Sequence, residues 1–318
     1  MRTKRKEDMQ RLSFKEFFES VERKTNFLVE ERGFAATPYR KTINKILRFC
    51  QIRCNQLRPR EYVKFEIPET ITREIDIINN LRIYVTVEDK SITSDVHSGG
   101  NVEVQDVGPI TNNKLSTASI SIEGYSFNGI LYDRTILASL CHELNHLKEV
   151  LEDKIKYNDI KRSLNSLKKI GSGVVTKDKQ LDDFLHMVTY RLFSETELNA
   201  LISSVYGDLK GIRSKRETYK EDIKQTKAYS VYKAIKEDLT GNLKLLKAYS
   251  PQLKTYLNRC NIELSPYGNS DDAYIKDFGR KVAFLLKRLY KGIGKVASLY
   301  YDDVEFEIPR NIYKTKFG

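Results

Sequence analysis

Apolar positions recur along this chain with two different periods, and the changes of period mark out its elements. Behind Ser13, the residues Phe14, Phe17, Phe18 and Val21 follow the 3.6-residue period of an amphipathic helix. Gly33 and Pro38 interrupt it, and Ile43, Ile46, Leu47 and Cys50 set a second helix over 39–56. After Pro59 the period shortens to two. Residues 62–67 alternate, and 75–87 contain two alternating runs around Asn79-Asn80, which predicts strands with a hairpin between them. Residues 91–114, with Gly99, Gly100, Gly108 and Pro109, read as a long loop or an exposed hairpin. A further strand over 115–123 places Ala118, Ile120 and Ile122 on one face, and Gly124 and Asn128-Gly129 end it.

The helical period then returns and stays. Asp133 is placed to cap a helix over 134–151, and a lysine-rich connection with Gly171 and Gly173 leads to a long helix over 180–209. Helices over 218–246, 251–260 and 271–300 follow, and the alternating tail at 304–308 predicts a last strand. The plan is α+β: helices, a small sheet, then helices, divided at about 60 and 210.

Composition narrows this picture only a little. A hydrophobic fraction of 40% over 318 residues suffices for a packed core and is too high for a disordered chain. Four cysteines make no disulfide scaffold, and reduced thiols in a cytoplasmic protein are expected. No apolar run reaches the roughly 20 residues of a membrane span, and the basic start lacks the apolar segment of a secretory signal. The net charge of +12 favours anionic surroundings, including non-specific contact with DNA. Yet acidic and basic residues are mixed nearly everywhere, and no DNA-reading or RNA-reading motif accompanies them.

The chemistry is concentrated in His142-Glu143-Leu144-Asn145-His146, an H-E-x-x-H motif that contains two of the four histidines. Residues four apart lie one above the other on a helix, so both imidazoles can reach one zinc ion at about 2.0–2.1 Å. Glu143 is then placed to act as general base on a water. Leu137, Leu140, Leu144, Leu147 and Leu151 form the core stripe of that helix. His142 and His146 lie on nearly the opposite side with Thr135, Ala138 and Ser139.

A third ligand is required. The sequence after His146 has no further histidine at metzincin spacing, so the candidates are Glu195 and Glu197 on the later helix. With 180–209 treated as one continuous helix, Glu195 shares its face with Val188, Leu192, Leu198 and Ile202, and Glu197 shares its with Tyr190, Ser194 and Ser204. That phasing favours Glu195, because a carboxylate on an apolar face needs a compensating charge, and leaves Glu197 as second choice. His97, His186 and Tyr190 are candidates for contacts to an oxyanion or substrate.

Over residues 115–209 the chain resembles gluzincin-type zinc peptidases. The resemblance rests on the strand with serines on one face, the turn, Leu-Cys-His-Glu-Leu-Asn-His, and the later Glu-x-Glu-x-Asn-Ala. It is nearest to the zincin-like proteins of bacteriophages and mobile elements. It implies a zincin-like core over 61–210 with helical extensions at 1–60 and 211–318. It also implies one Zn2+ per chain, a zinc metalloendopeptidase acting on peptide or protein substrates, and an extended peptide added to a sheet edge formed by the strand before the motif helix. An alternative of another class is a structural subunit of a phage virion (ring, connector or tail) built on the same fold. It would contact other virion proteins and be virion-associated rather than cytoplasmic in the host cell.

Overall fold

The computed structural model describes residues 39–55, 57–58, 60–90, 102–105, 108–151, 175–176, 178–266 and 268–301. The helix expected behind Ser13, the strand at 304–308, the lysine-rich connection with Gly171 and Gly173, and His97 all lie outside the described residues.

Helix α1 (Arg40–Cys54) leads to strand β1 (Tyr62–Glu66), a short helix α2 (Glu69–Thr72), and strand β2 (Ile78–Asp89). Then come β3 (Val102–Gln105), β4 (Ile110–Thr111), β5 (Lys114–Phe127) and β6 (Ile130–Leu131). The sheet is mixed, in the order β1-β2-β5-β3. β1 and β2 are antiparallel, β2 and β5 parallel, and β3 antiparallel to β5. The central pair aligns Ile83 with Ile120 and Val85 with Ile122, all four buried, so the sheet is held by stacked β-branched side chains.

Three strand expectations change. The hairpin at Asn79-Asn80 is absent: both asparagines are exposed within the single strand β2, whose parallel ladder to β5 runs through them with Asn80 opposite Thr117. Pairing along the whole strand overrides the local turn preference of Asn-Asn. β5 does not stop at Gly124 but continues to Phe127, where Asn128 and Gly129 take positive φ and turn the chain into β6. Nor is β5 the sheet edge. Its second side is covered by β3, β4 and β6, and among the described residues β3 is the outer strand beside the motif helix.

The helices follow in order: α3 (Asp133–Leu151), α4 (Lys179–Val188), α5 (Glu195–Gly211), α6 (Tyr219–Lys224), α7 (Lys227–Leu246), α8 (Ser250–Arg259) and α9 (Asp271–Tyr300). The span 218–246 is two helices, since Thr226 starts α7 with its side chain accepting from the Tyr229 amide. Leu137, Leu140, Leu144 and Leu147 of α3 are all buried, each worth roughly 1.5–3 kcal/mol, which fixes the rotation of the helix about its axis.

α3 and α5 pack closely because α5 carries small residues there. A Cβ on Gly207 would stand 2.5 Å from the Leu137 carbonyl, and one on Gly211 2.4 Å from Arg134 Cα. One turn further from that end, Ser203 Oγ donates to Asn145 Oδ1, and beyond it Asn199 Nδ2 donates to Glu149 Oε1. The two helices are therefore antiparallel, with glycine contact at one end and hydrogen bonds at the other. α9 packs on α5 and α7. Cys50, Cys54 and Cys141 are buried free thiols, and burial raises the pKa of each. Among the described residues no helix is long and apolar enough to cross a membrane.

Candidate metal centre

The leucine stripe of α3 faces the core, which turns His142 and His146 toward α5 and the segment before it. Their Nε2 atoms are 3.2 Å apart and their rings meet edge to face. Four ligands at 2.0–2.1 Å around a tetrahedral ion stand about 3.3–3.4 Å from one another, so this spacing suits one shared zinc. His142, Glu143 and His146 bring ligand atoms within 4.8 Å of one another.

Which carboxylate faces the two imidazoles is set by a break in the helix. The expected continuous helix over 180–209 ends at Val188, passes through a π-helical turn, Thr189–Phe193, and stops at Ser194, whose φ −79° and ψ 109° are extended. Ser194 then caps α5 by accepting from the Glu197 amide. A π turn adds a residue to the helical repeat, and the extended cap resets the phase, so face-sharing counted across residues 188–195 does not hold. Glu197 points inward, its side chain 2% exposed, with Oε1 3.5 Å from His146 Nε2 and Oε2 3.8 Å from His142 Nε2. Glu195 is 62% exposed at the first turn of α5 and pairs with Arg288 of α9 at 3.0 Å. The structure thus places Glu197, the second choice of the sequence, beside the two imidazoles, and places Glu195, the first choice, against Arg288.

The charges of the group are strongly interdependent. Burial alone would raise the Glu197 carboxyl, but His146, His142 and Arg191 outweigh it and hold the group down at about 2. Burial disfavours a charged His146. Its contact with Glu197 and the charges of Glu143, Glu197 and Glu149 overcome this and lift it to about 9. His142 goes the other way, to about 3, through burial and the neighbouring His146 charge. The two imidazoles oppose each other's charge while the Glu197 carboxylate favours a positive charge beside it, a position a metal ion could take.

Glu143 Oε1 is 3.8 Å from His142 Nε2, with its side chain only 7% exposed. Tyr190, on the π-helical turn, feels both Glu197 and Glu143, and burial with the Glu197 charge pushes its phenol up to about 12. Next to it, Arg191 donates to Glu197 Oε2 at 3.1 Å and lies against the Tyr190 ring. His186 is one turn earlier on α4, where Nδ1 lies 3.0 Å from the Tyr256 hydroxyl of α8.

Sequence reasoning misses Arg191, and it misses Asn145, Glu149, Asn199 and Ser203, which form a hydrogen-bonded layer behind His146. One signal for Glu197 is present: Ser194-x-x-Glu197 is the capping-box spacing that starts a new helix. Beyond the Asn145–Glu149 spacing of four, the polar layer has no local signal, since its other bonds join residues 50 and 58 positions apart. Comparison with protein-family models, with curated proteins and with solved structures finds no match to this chain.

Proposed function

We propose that this protein is a zinc-dependent metallopeptidase of the gluzincin type, with His142, His146 and Glu197 as metal ligands and Glu143 as general base. The observation that carries the reading is the convergence of two imidazole Nε2 atoms 3.2 Å apart with the buried Glu197 carboxylate within 3.5–3.8 Å of both. The donor set of two imidazoles and one carboxylate is that of catalytic zinc sites that keep a fourth position open. Zinc bound there would polarise a substrate carbonyl and bring the pKa of a water to about 7.

The chain's own residues supply the rest. Glu143 accepts a proton from the attacking water and passes it to the departing amide nitrogen, so the peptide gains one water across its C–N bond. Tyr190 keeps its proton throughout the neutral range, because burial and Glu197 raise it to about 12, and its hydroxyl can donate to the oxyanion that develops on the carbonyl. Arg191 occupies Glu197 Oε2 and holds the carboxylate in place. An extended substrate would add by main-chain hydrogen bonds to β3, the outer strand beside α3.

The test is Glu143→Gln. The variant should bind zinc as the parent does and lose cleavage of a protein substrate such as casein by at least about 100-fold, in the range of lost acid–base catalysis. Undiminished cleavage in Glu143→Gln ends this reading.

A further inference from the structure

Behind the two imidazoles lies a chain of side-chain hydrogen bonds that the proposed reaction does not use. Arg288 Nη2 donates to Glu195 Oε1 and to Asn199 Oδ1, both at 3.0 Å. With its oxygen engaged there, the Asn199 amide must turn its nitrogen the other way, and Nδ2 donates to Glu149 Oε1 at 2.9 Å. A second amide is fixed in the same way. Ser203 Oγ donates to Asn145 Oδ1 at 2.9 Å, and Asn145 Nδ2 donates to Glu149 Oε1 at 3.1 Å. Two amides, each oriented by its own partner, thus deliver both donors to one oxygen of Glu149.

The second oxygen is left over. Glu149 Oε2 is buried without a hydrogen-bond partner, and so is His146 Nδ1. Glu149 follows His146 by three residues, which puts the two side chains on one face of α3. Each also lies within the other's electrostatic reach. The remaining unpartnered buried oxygens among the described residues, on Ser126 and Ser250, belong to β5 and α8. The two orphans are complementary. His146 Nε2 faces His142 and Glu197, so an imidazole that offers its Nε2 lone pair carries its hydrogen on Nδ1. A buried N–H needs an acceptor, and a buried carboxylate oxygen needs a donor.

We propose that Glu149 is a positioning residue for His146: its Oε2 accepts the hydrogen of His146 Nδ1, which fixes the tautomer and ring plane that present Nε2 to the metal. The proposal rests on the metal-centre reading above. It also explains Glu195 and Arg288, which orient Asn199 and thereby tie α9 to the site through a chain that ends at His146. Outer hydrogen-bond partners of this kind hold ligand imidazoles in metal sites generally, and their loss costs about 10–100-fold in affinity.

The experiment is nitrogen-15 and proton magnetic resonance on the full chain labelled at histidine, with zinc affinity measured in parallel by competition with a chromophoric chelator. The parent should show a slowly exchanging His146 Nδ1–H, with or without zinc. Glu149→Gln, which keeps the volume and removes a buried charge, should lose that resonance and weaken zinc binding about 10–100-fold. Absence of the resonance from the parent overturns the proposal without any variant. So does a Glu149→Gln protein that keeps both the resonance and the parent's affinity. A parent that binds no zinc, yet loses the resonance on Glu149→Gln, keeps the positioning bond and removes the metal reading instead.

Discussion

The Glu197 carboxylate lies 3.5 Å from His146 Nε2, while Glu195, two residues earlier on the same helix, turns outward to Arg288. Ser194 produces this difference by starting α5 afresh after the π-helical turn, which sends the first residue of the helix to solvent and the third toward α3. Metal binding should therefore discriminate between the two glutamates. Glu197→Gln should weaken zinc binding by more than the roughly 10–100-fold expected for loss of an outer partner. Glu195→Gln should change it by less than about tenfold, since Glu195 is 62% exposed and points away from the imidazoles. Chelator competition on the two variants reads both. The reverse order would return the ligand to Glu195.

The glycines of α5 should prove far less replaceable than a glycine of α7. Gly207→Ala forces a methyl against the Leu137 carbonyl, a backbone atom that cannot turn aside, and should cost about 3 kcal/mol or more. Gly241 is exposed within α7, and a methyl added to it would meet nothing within 4 Å. Gly241→Ala should therefore stabilise by up to about 1 kcal/mol through helix propensity alone. Denaturant unfolding of the two variants measures the contrast. Equal and small effects would mean that α3 and α5 are not in contact at Gly207.

These contrasts show where the sequence is informative. The motif helix is legible in full, because its leucine period and its histidine spacing are both local, and α3 spans Asp133–Leu151 much as the period predicts. The sheet is legible as strands but not as topology. Asn79-Asn80 resembles a turn until a parallel partner pairs through it, and Asn80 finds that partner far along the chain at Thr117. The third carboxylate is narrowed to two residues by sequence, but which of them faces the imidazoles is not legible, because a π turn and an extended cap reset the helical phase between Val188 and Glu195. The Asn145–Glu149–Asn199 layer is invisible for a different reason: each member is an ordinary polar helix residue until α3 and α5 are brought together.

A buried ion pair at the far end of the same helix contact should give a pH signature. Arg134 Nε lies 2.7 Å from Asp208 Oδ1, and the Lys227 amide donates to Asp208 Oδ2 at 2.9 Å. Burial raises the Asp208 pKa, and Arg134 works against that rise. Arg134→Met should leave the carboxylate buried without its cation, at a cost of about 3–5 kcal/mol near neutral pH. With a folded pKa raised above the unfolded value of about 3.9, the variant is relieved where Asp208 is protonated and loses stability as pH rises through the folded pKa. The gap between parent and Arg134→Met in urea unfolding should then be smaller at about pH 4 than at about pH 7. A gap independent of pH would show that Asp208 is not the group left uncompensated.

The central claim is that His142, His146 and Glu197 together hold one metal ion. Its most direct measurement is zinc content per chain by elemental mass spectrometry, after reconstitution and removal of loosely held ions, for the parent and Glu197→Gln side by side. The account predicts close to one zinc per chain in the parent and a large loss in the variant. A parent without zinc, or equal zinc in both, would contradict it.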